Sequence, residues 1–363
     1  MRLSLLAGLI LIALSGGLNA DYGFEVQIGQ NFTGNLLLDS SGLYDSYSNT
    51  NLSFDYYPLP FLKANLKTEY TYYSKLTGLG NLLGGGGITL IPTSAESPLS
   101  VYLTANFTRR SYRTEFKVYN TDDYDFLTSL GYQLSPAVQI RTGISYKNMT
   151  YIKSDVADKE SYEIFAGANF TVFGSNSLDL EAGYSRAKSK FIDSIILQLP
   201  PDPTEIIWED ENLKSFYISP RFSRTLGLKT GMNITFTYTE FLGNDDLKVM
   251  SYQTGFLSPW ASVWEGNSVS ANLKSYLIPN MIVSLGGGYW NKTFLKMFEF
   301  PDRFKMRDDD LSRYYLSISR PIATNSGLFF EPSLQLDISN CTSTHKLYDY
   351  SSYSIVAGLT IRK

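Results

Sequence analysis

The one histidine of the chain, His345, follows Ser343 by two residues and the one cysteine, Cys341, by four. A histidine near a serine suggests nucleophilic catalysis, in which imidazole takes the hydroxyl proton and a third group orients the base. Two residues of separation within the polar stretch 340–348 define no such geometry. The sequence therefore predicts no enzyme and no catalytic residue, and it reads Cys341 and His345 as surface-loop residues. One cysteine forms no internal disulfide. One cysteine with one histidine is too small a set for a Zn²⁺ site, so neither metal nor cofactor is expected. Carboxylates gather at Asp122-Asp123, Glu209-Asp210-Glu211, Asp245-Asp246 and Asp308-Asp309-Asp310. Such groups suit Ca²⁺ or Mg²⁺, but solvated charge in long loops explains them more simply. The run Gly84 to Gly87 precedes no helix and is read as a bent strand, not a phosphate cradle. Asn31-Phe32-Thr33, Asn106-Phe107-Thr108, Asn169-Phe170-Thr171 and Asn233-Ile234-Thr235 match the glycosylation sequon. Their place inside predicted strands marks them as polar-face residues instead.

The elements that position these residues follow from composition and periodicity. The 363 residues carry a net charge of −4 with no basic stripe, which excludes a nucleic-acid partner. With 27 Tyr and 22 Phe the chain is rich in strand formers that also favour a membrane–water interface. Residues 1–20 read as an export signal: Arg2, an apolar run from Leu5 to Leu14, and small residues leading to Ala20. No later apolar stretch approaches the roughly 20 residues of a spanning helix. An exported chain of this kind is either soluble or a barrel.

Alternation decides between them. Leu62, Ala64, Leu66, Tyr70 and Tyr72 share one face of a segment, and Lys63, Asn65, Lys67 and Glu69 share the other. The same period of two runs through Tyr22 to Ile28, Val138 to Tyr146, Leu178 to Tyr184, Met232 to Tyr238 and Tyr353 to Ile361. The apolar faces carry no Asp, Glu, Lys or Arg. The opposite faces carry both signs, and their charged residues are the candidate lumen lining: Glu25, Asp55, Lys63, Lys67, Glu69, Arg141, Lys147, Glu163, Asp179, Glu181, Arg221, Lys229, Lys274, Arg313, Glu331 and Asp337. A lipid-facing Arg or Lys costs about 2–4 kcal/mol at mid-membrane, whereas a watery lumen tolerates it. These segments run about nine to thirteen residues, which suits a tilted membrane strand; strands of soluble sandwiches average about five or six.

Short breaker-rich turns, at Pro58-Leu59-Pro60, Leu134-Ser135-Pro136, Gly174-Ser175-Asn176, Thr225-Leu226-Gly227, Ile278-Pro279-Asn280 and Pro321 to Gly327, alternate with long polar links. The links are 33–46, 111–121, 152–160, 192–212, 241–266, 291–310 and 340–348. The expected fold is all-β: a transmembrane, antiparallel, up-and-down β-barrel of about sixteen strands over residues 21–363, with 14 or 18 as alternatives. The doubtful stretch is 241–266, where Met250, Tyr252 and Phe256 alternate and an extra hairpin would fit.

On this alternation the chain resembles bacterial outer-membrane β-barrel proteins of the porin-like kind. It departs from them in ending Thr360-Ile361-Arg362-Lys363, where such barrels often finish on an aromatic residue. The resemblance implies a place in the bacterial outer membrane. It also implies contact with outer-membrane lipid and lipopolysaccharide, and insertion by the outer-membrane assembly machinery. Two functions fit. One is a channel for passive diffusion of small polar solutes, since about sixteen strands leave a lumen wide enough for water. The other is a non-conducting adhesin or envelope-interaction barrel that acts through its long loops.

Overall fold

The structure, a computed structural model, describes residues 21–36, 42–94, 96–152, 158–172, 174–196, 205–242, 264–276, 280–298 and 306–363. The export-signal segment 1–20 and residues 243–263, with Asp245-Asp246, lie outside them, as does the side-chain placement of Glu209, Asp210 and Glu211. Strands β1 (Asp21–Thr33), β2 (Asp45–Leu59), β3 (Leu62–Tyr73), β4 (Asn81–Leu90) and β5 (Leu99–Tyr112) open the chain. There follow β6 (Thr121–Ser135), β7 (Val138–Tyr151), β8 (Lys159–Val172), β9 (Asn176–Ile196), β10 (Glu205–Leu226) and β11 (Thr230–Leu242). The remainder are β12 (Glu265–Ser275), β13 (Ile282–Phe298), β14 (Met306–Ser319), β15 (Ile322–Ala323), β16 (Phe329–Ser343) and β17 (Tyr350–Arg362).

Every strand pairs antiparallel with its neighbours in sequence, and β1 closes on β17 from Glu25↔Arg362 to Thr33↔Ser354. The two-residue β15 only prolongs the edge of β14, which itself pairs with β16. The protein is therefore an all-β, closed antiparallel barrel of sixteen wall strands. Closure pairs every wall strand on both sides and leaves no free edge.

Side-chain exposure inverts the pattern of a soluble protein. Ile28 and Phe32 on β1, Ile164 on β8, Leu285 on β13, Tyr314 on β14 and Leu334 on β16 are each at least half exposed. They belong to the uncharged rows. An apolar belt of this extent is the surface a barrel gives to lipid. Tyrosines then meet polar groups toward the end opposite the termini: Tyr238 Oη donates to Glu240 (2.8 Å) and Tyr289 Oη to Asp310 (2.5 Å). At the same end, on β5 and β6, Arg109 pairs with Asp122 on the outer face (2.5 Å). Tyrosine rings at such a boundary keep an apolar body in lipid and a hydroxyl in water.

Local breaks in the ladder are repaired. Pro220 in β10 has no N–H for the β11 strand opposite. Ser219 Oγ instead donates to the carbonyl of Phe236 (3.3 Å) and meets Thr237 Oγ1 (3.0 Å). Gly227 takes φ +73° in the tight β10–β11 turn, a conformation that favours glycine.

Several expected links are in fact strand. At the end carrying the termini several connections are only two or three residues, such as 60–61, 136–137 and 227–229, though 91–98 is longer; none that joins described strands at the other end is that short. But 192–212 shrinks to 197–204 and 291–310 to 299–305, because β9, β10, β13 and β14 run on past the belt. Beyond lipid neither face needs to be apolar, so alternation fades while backbone pairing continues. Asp122-Asp123 thus opens β6, Glu209-Asp210-Glu211 lies in β10, and Asp308-Asp309-Asp310 lies in β14. Likewise β16 continues to Ser343, and Cys341 is a buried wall residue, not a loop residue. The connection 74–80 went unread in the sequence. It is held by Asp45, whose carboxylate accepts from Ser74 Oγ (2.6 Å), Lys75 N (3.0 Å) and Leu76 N (3.1 Å).

Candidate pore lining

Opposite the apolar rows, curvature brings side chains of non-adjacent strands together. Arg141 on β7 reaches over β8 to β9, where its Nη1 donates to Asp179 Oδ2 (3.1 Å) and its Nη2 to Glu181 Oε2 (2.7 Å). The residue it passes over is Gly167, paired with both Arg141 and Glu181. A Cβ there would lie 3.4 Å from Arg141 Nε and 2.7 Å from the carbonyl of Leu180. One row up, the ring of Tyr217 on β10 lies over Gly183, where a Cβ would come within 2.5 Å of it. Tyr217 Oη is 3.0 Å from Glu181 Oε1 and 3.1 Å from Glu163 Oε1. One hydroxyl proton serves both carboxylates in turn. The cluster thus sets two cations, Arg141 and the Arg221 that stands opposite Asp179 across the β9–β10 ladder, against three anions, Glu163, Asp179 and Glu181.

A second cluster spans β14, β16, β17, β1 and β2. Arg313 Nη2 donates to Asp337 Oδ1 (2.9 Å), and Gln335 Nε2 donates to Asp337 Oδ2 (2.7 Å). Two strands away Asn31 Nδ2 meets Tyr47 Oη at 2.6 Å. Between these groups lies a cavity of about 260 Å³, floored by Ser339, Ser352 and Ser354.

A third cluster lies higher on the same face. Arg307 is stacked between the rings of Phe294 (4.2 Å) and Tyr348 (3.4 Å) and paired with the buried Asp309. Ser343 Oγ donates to Asp309 Oδ1 at 2.6 Å, and Cys341 packs beside them. The serine of the His345 neighbourhood is thus occupied by a structural carboxylate, and His345 sets its ring against Tyr348 (5.2 Å between centroids). Among the described residues no group of three or more His, Cys, Asp or Glu is arranged to hold a metal ion.

Of the sixteen candidate lining residues, six enter these clusters through direct bonds from Arg141, Tyr217 or Arg313: Arg141, Glu163, Asp179, Glu181, Arg313 and Asp337. Lys63 pairs with Asp55 (2.9 Å), and Glu331 with Arg362 (3.5 Å). Glu25 accepts from Gln27 (2.6 Å). Arg221 faces Asp179 across the β9–β10 ladder. Lys67, Glu69, Lys147 and Lys274 stand on β3, β7 and β12 outside the clusters. Lys229 is misplaced by the sequence reading: it lies in the β10–β11 turn, because the alternation that suggested a wall position ends at Leu226. The sequence reading missed Tyr217, Asn31 as a binding group, and the glycines that make room for long side chains. The signal for the glycines was their spacing, since Gly167 and Gly183 fall on the polar face of strands beside Arg141 and Tyr217.

Solved structures resemble this barrel over nearly its whole length. OccK1 (OpdK) of Pseudomonas aeruginosa aligns over 94% of this chain and 99% of its own, with a TM-score of 0.51 and 8% identity. OccAB4 of Acinetobacter baumannii aligns over 94% and 98%, with a TM-score of 0.50 and 9% identity. OmpT, an outer membrane protein of Vibrio cholerae, aligns over 95% and 97%, with a TM-score of 0.45 and 13% identity. The fold is that of bacterial outer-membrane barrels. No protein-family model matches the sequence, and no curated protein matches it. At such identities the likeness concerns the fold alone.

Proposed function

We propose that the protein is a porin-like channel through which small polar solutes diffuse passively across the bacterial outer membrane. One observation supports this above others: the barrel is not filled by an apolar core. Among the described residues the buried hydrophobic side chains are Leu83, Leu213, Phe241, Phe294 and Cys341. A small barrel closes on packed side chains, but one of sixteen strands is wide enough for water when nothing fills it. Here the groups opposite the lipid belt are ion pairs, amides and hydroxyls, which water solvates well. In this reading the protein does no chemistry of its own, and lipopolysaccharide and the assembly machinery meet its outer surface. Planar-bilayer recording tests the proposal directly. Stepwise, ohmic conductance in potassium chloride is expected from the purified barrel. A folded, membrane-inserted barrel that never conducts would overturn it and favour a surface-interaction role.

A further inference from the structure

The cavity beside Arg313 and Asp337 contains an unmet hydrogen-bonding demand. Asn31 is 8% exposed, and its Nδ2 is satisfied by Tyr47 Oη, yet its Oδ1 has no hydrogen-bond partner. Turning the amide over would exchange the two atoms and still leave one of them unpaired. A buried polar atom without a partner is unfavourable, so a ligand that supplies the missing bond is favoured here. The residue lines a cavity of about 260 Å³ with Tyr47, Arg313, Asp337 and the hydroxyls of Ser339 and Ser354.

We propose that this cavity is a binding site for a neutral, polyhydroxylated solute of about monosaccharide size. The proposal rests on the channel reading only for how the solute arrives. Charge argues for neutrality: Arg313 and Asp337 already compensate one another, and Gln335 occupies the second carboxylate oxygen. An anion or a cation therefore meets no net opposite charge here, and a solute hydroxyl needs none. Once the Asn31 amide turns toward the cavity, one hydroxyl donates to its Oδ1 while a neighbouring hydroxyl accepts from the remaining N–H groups of Arg313, whose side chain is 57% exposed. Hydroxyl groups both donate and accept, which matches the amide, guanidinium and hydroxyl groups of this wall, set among Leu36, Leu311 and Tyr353. Size agrees, because pockets that take drug-sized ligands measure roughly 300–1,000 Å³ and this cavity is smaller.

Saturation-transfer NMR on the full chain in detergent, with D-glucose, L-lysine and L-glutamate as probes, tests the site without requiring conduction. Glucose is expected to give a signal that neither charged probe displaces. Asn31→Leu is expected to weaken it at least tenfold, and Lys229→Ala, in the distant turn, to leave it unchanged. Heat-dependent gel migration shows whether Asn31→Leu has folded; if it has not, Ser354→Val, which adds bulk to the cavity wall, carries the same expectation. A lysine or glutamate signal stronger than that of glucose overturns the proposal. So does glucose binding that survives the substitutions, or no glucose signal at all, which would leave the cavity to water. Conductance of the same preparation separates the two readings. A barrel that conducts without binding glucose loses the site alone, and one that binds glucose without conducting loses the channel alone.

Discussion

On β7 to β10 one guanidinium is shared by two carboxylates and a third carboxylate is tied in through Tyr217, whereas on β14 to β2 one guanidinium faces one carboxylate beside an open cavity. Both regions use the same residue types on the same face of the same barrel. They differ in what lies between the charges. Gly167 and Gly183 let Arg141 and Tyr217 lie against the sheet, so their bonds run along the wall. On the other side the intervening residues are Ser339, Ser352 and Ser354, which are too short to fill the space yet polar enough to keep it wet. Glycine thus closes one region and serine leaves the other open. The closed region carries excess negative charge, and the open one is balanced.

The largest expected effect lies behind both regions, on the lipid belt they share. Leu180 on β9 and Leu336 on β16 are 40% and 38% exposed and adjoin Glu181 and Asp337 in sequence. Either leucine replaced by arginine should reduce folding into bilayers by about 2–4 kcal/mol, since the guanidinium must sit in hydrocarbon. Glu181→Arg should fold nearly as well as the parent. Urea titrations of vesicle-inserted protein measure the difference. Equal tolerance of Leu180→Arg and Glu181→Arg would show that the two faces are assigned wrongly.

Next comes the glycine contrast itself. A valine at Gly167 brings Cβ to 2.7 Å from the Leu180 carbonyl and crowds the path of Arg141. Overpacking of this kind costs about 1–3 kcal/mol. Ser354→Val, at the floor of the open region, should cost less than about 0.5–1 kcal/mol, as for substitutions with room to relax. If the two substitutions destabilise equally in the same titration, crowding does not distinguish the regions.

How far these regions were legible in the sequence follows from the same physics. The belt was legible because lipid imposes a period of two on every crossing strand, as in Leu178 to Tyr184. The reach of β9, β10, β13 and β14 was not, because beyond lipid the pairing is carried by backbone groups that leave no side-chain pattern. Arg141, Asp179, Glu181, Arg313 and Asp337 were each readable as polar-face charges. Their partners were not, since register between strands decides that Arg141 meets Glu181 across Gly167. Cys341 was read as a loop residue because Asn340 and Thr342 flank it, yet those point to the other face of β16.

Charge should then separate the regions in ion preference. Replacing Glu181 by Gln moves the β7–β10 cluster toward balance and should lower the preference for cations. Arg313→Gln removes the only cation of its pair and should raise it. Reversal potentials across a potassium chloride gradient would therefore shift in opposite directions. Shifts of the same sign would mean that one of the two clusters does not face the permeating ions.

The smallest effect tests whether Tyr217 is a structural tie or a spectator. Its hydroxyl lies between Glu163 and Glu181 but can donate to only one of them at a time. Tyr217→Phe keeps the ring over Gly183 and deletes that single shared bond. Both carboxylates are only half-buried, so water replaces the hydroxyl at each without stranding a charge. The expected loss is therefore that of one ordinary hydrogen bond, about 0.5–1.5 kcal/mol, and not the larger penalty of an orphaned ion. Tyr47→Phe makes the opposite case, because it strips the nearly buried Asn31 of its one side-chain partner and should cost more. Measured side by side in vesicles, a Tyr217→Phe loss that equals or exceeds the Tyr47→Phe loss would show that the β7–β10 carboxylates depend on the tyrosine proton and are not reached by water.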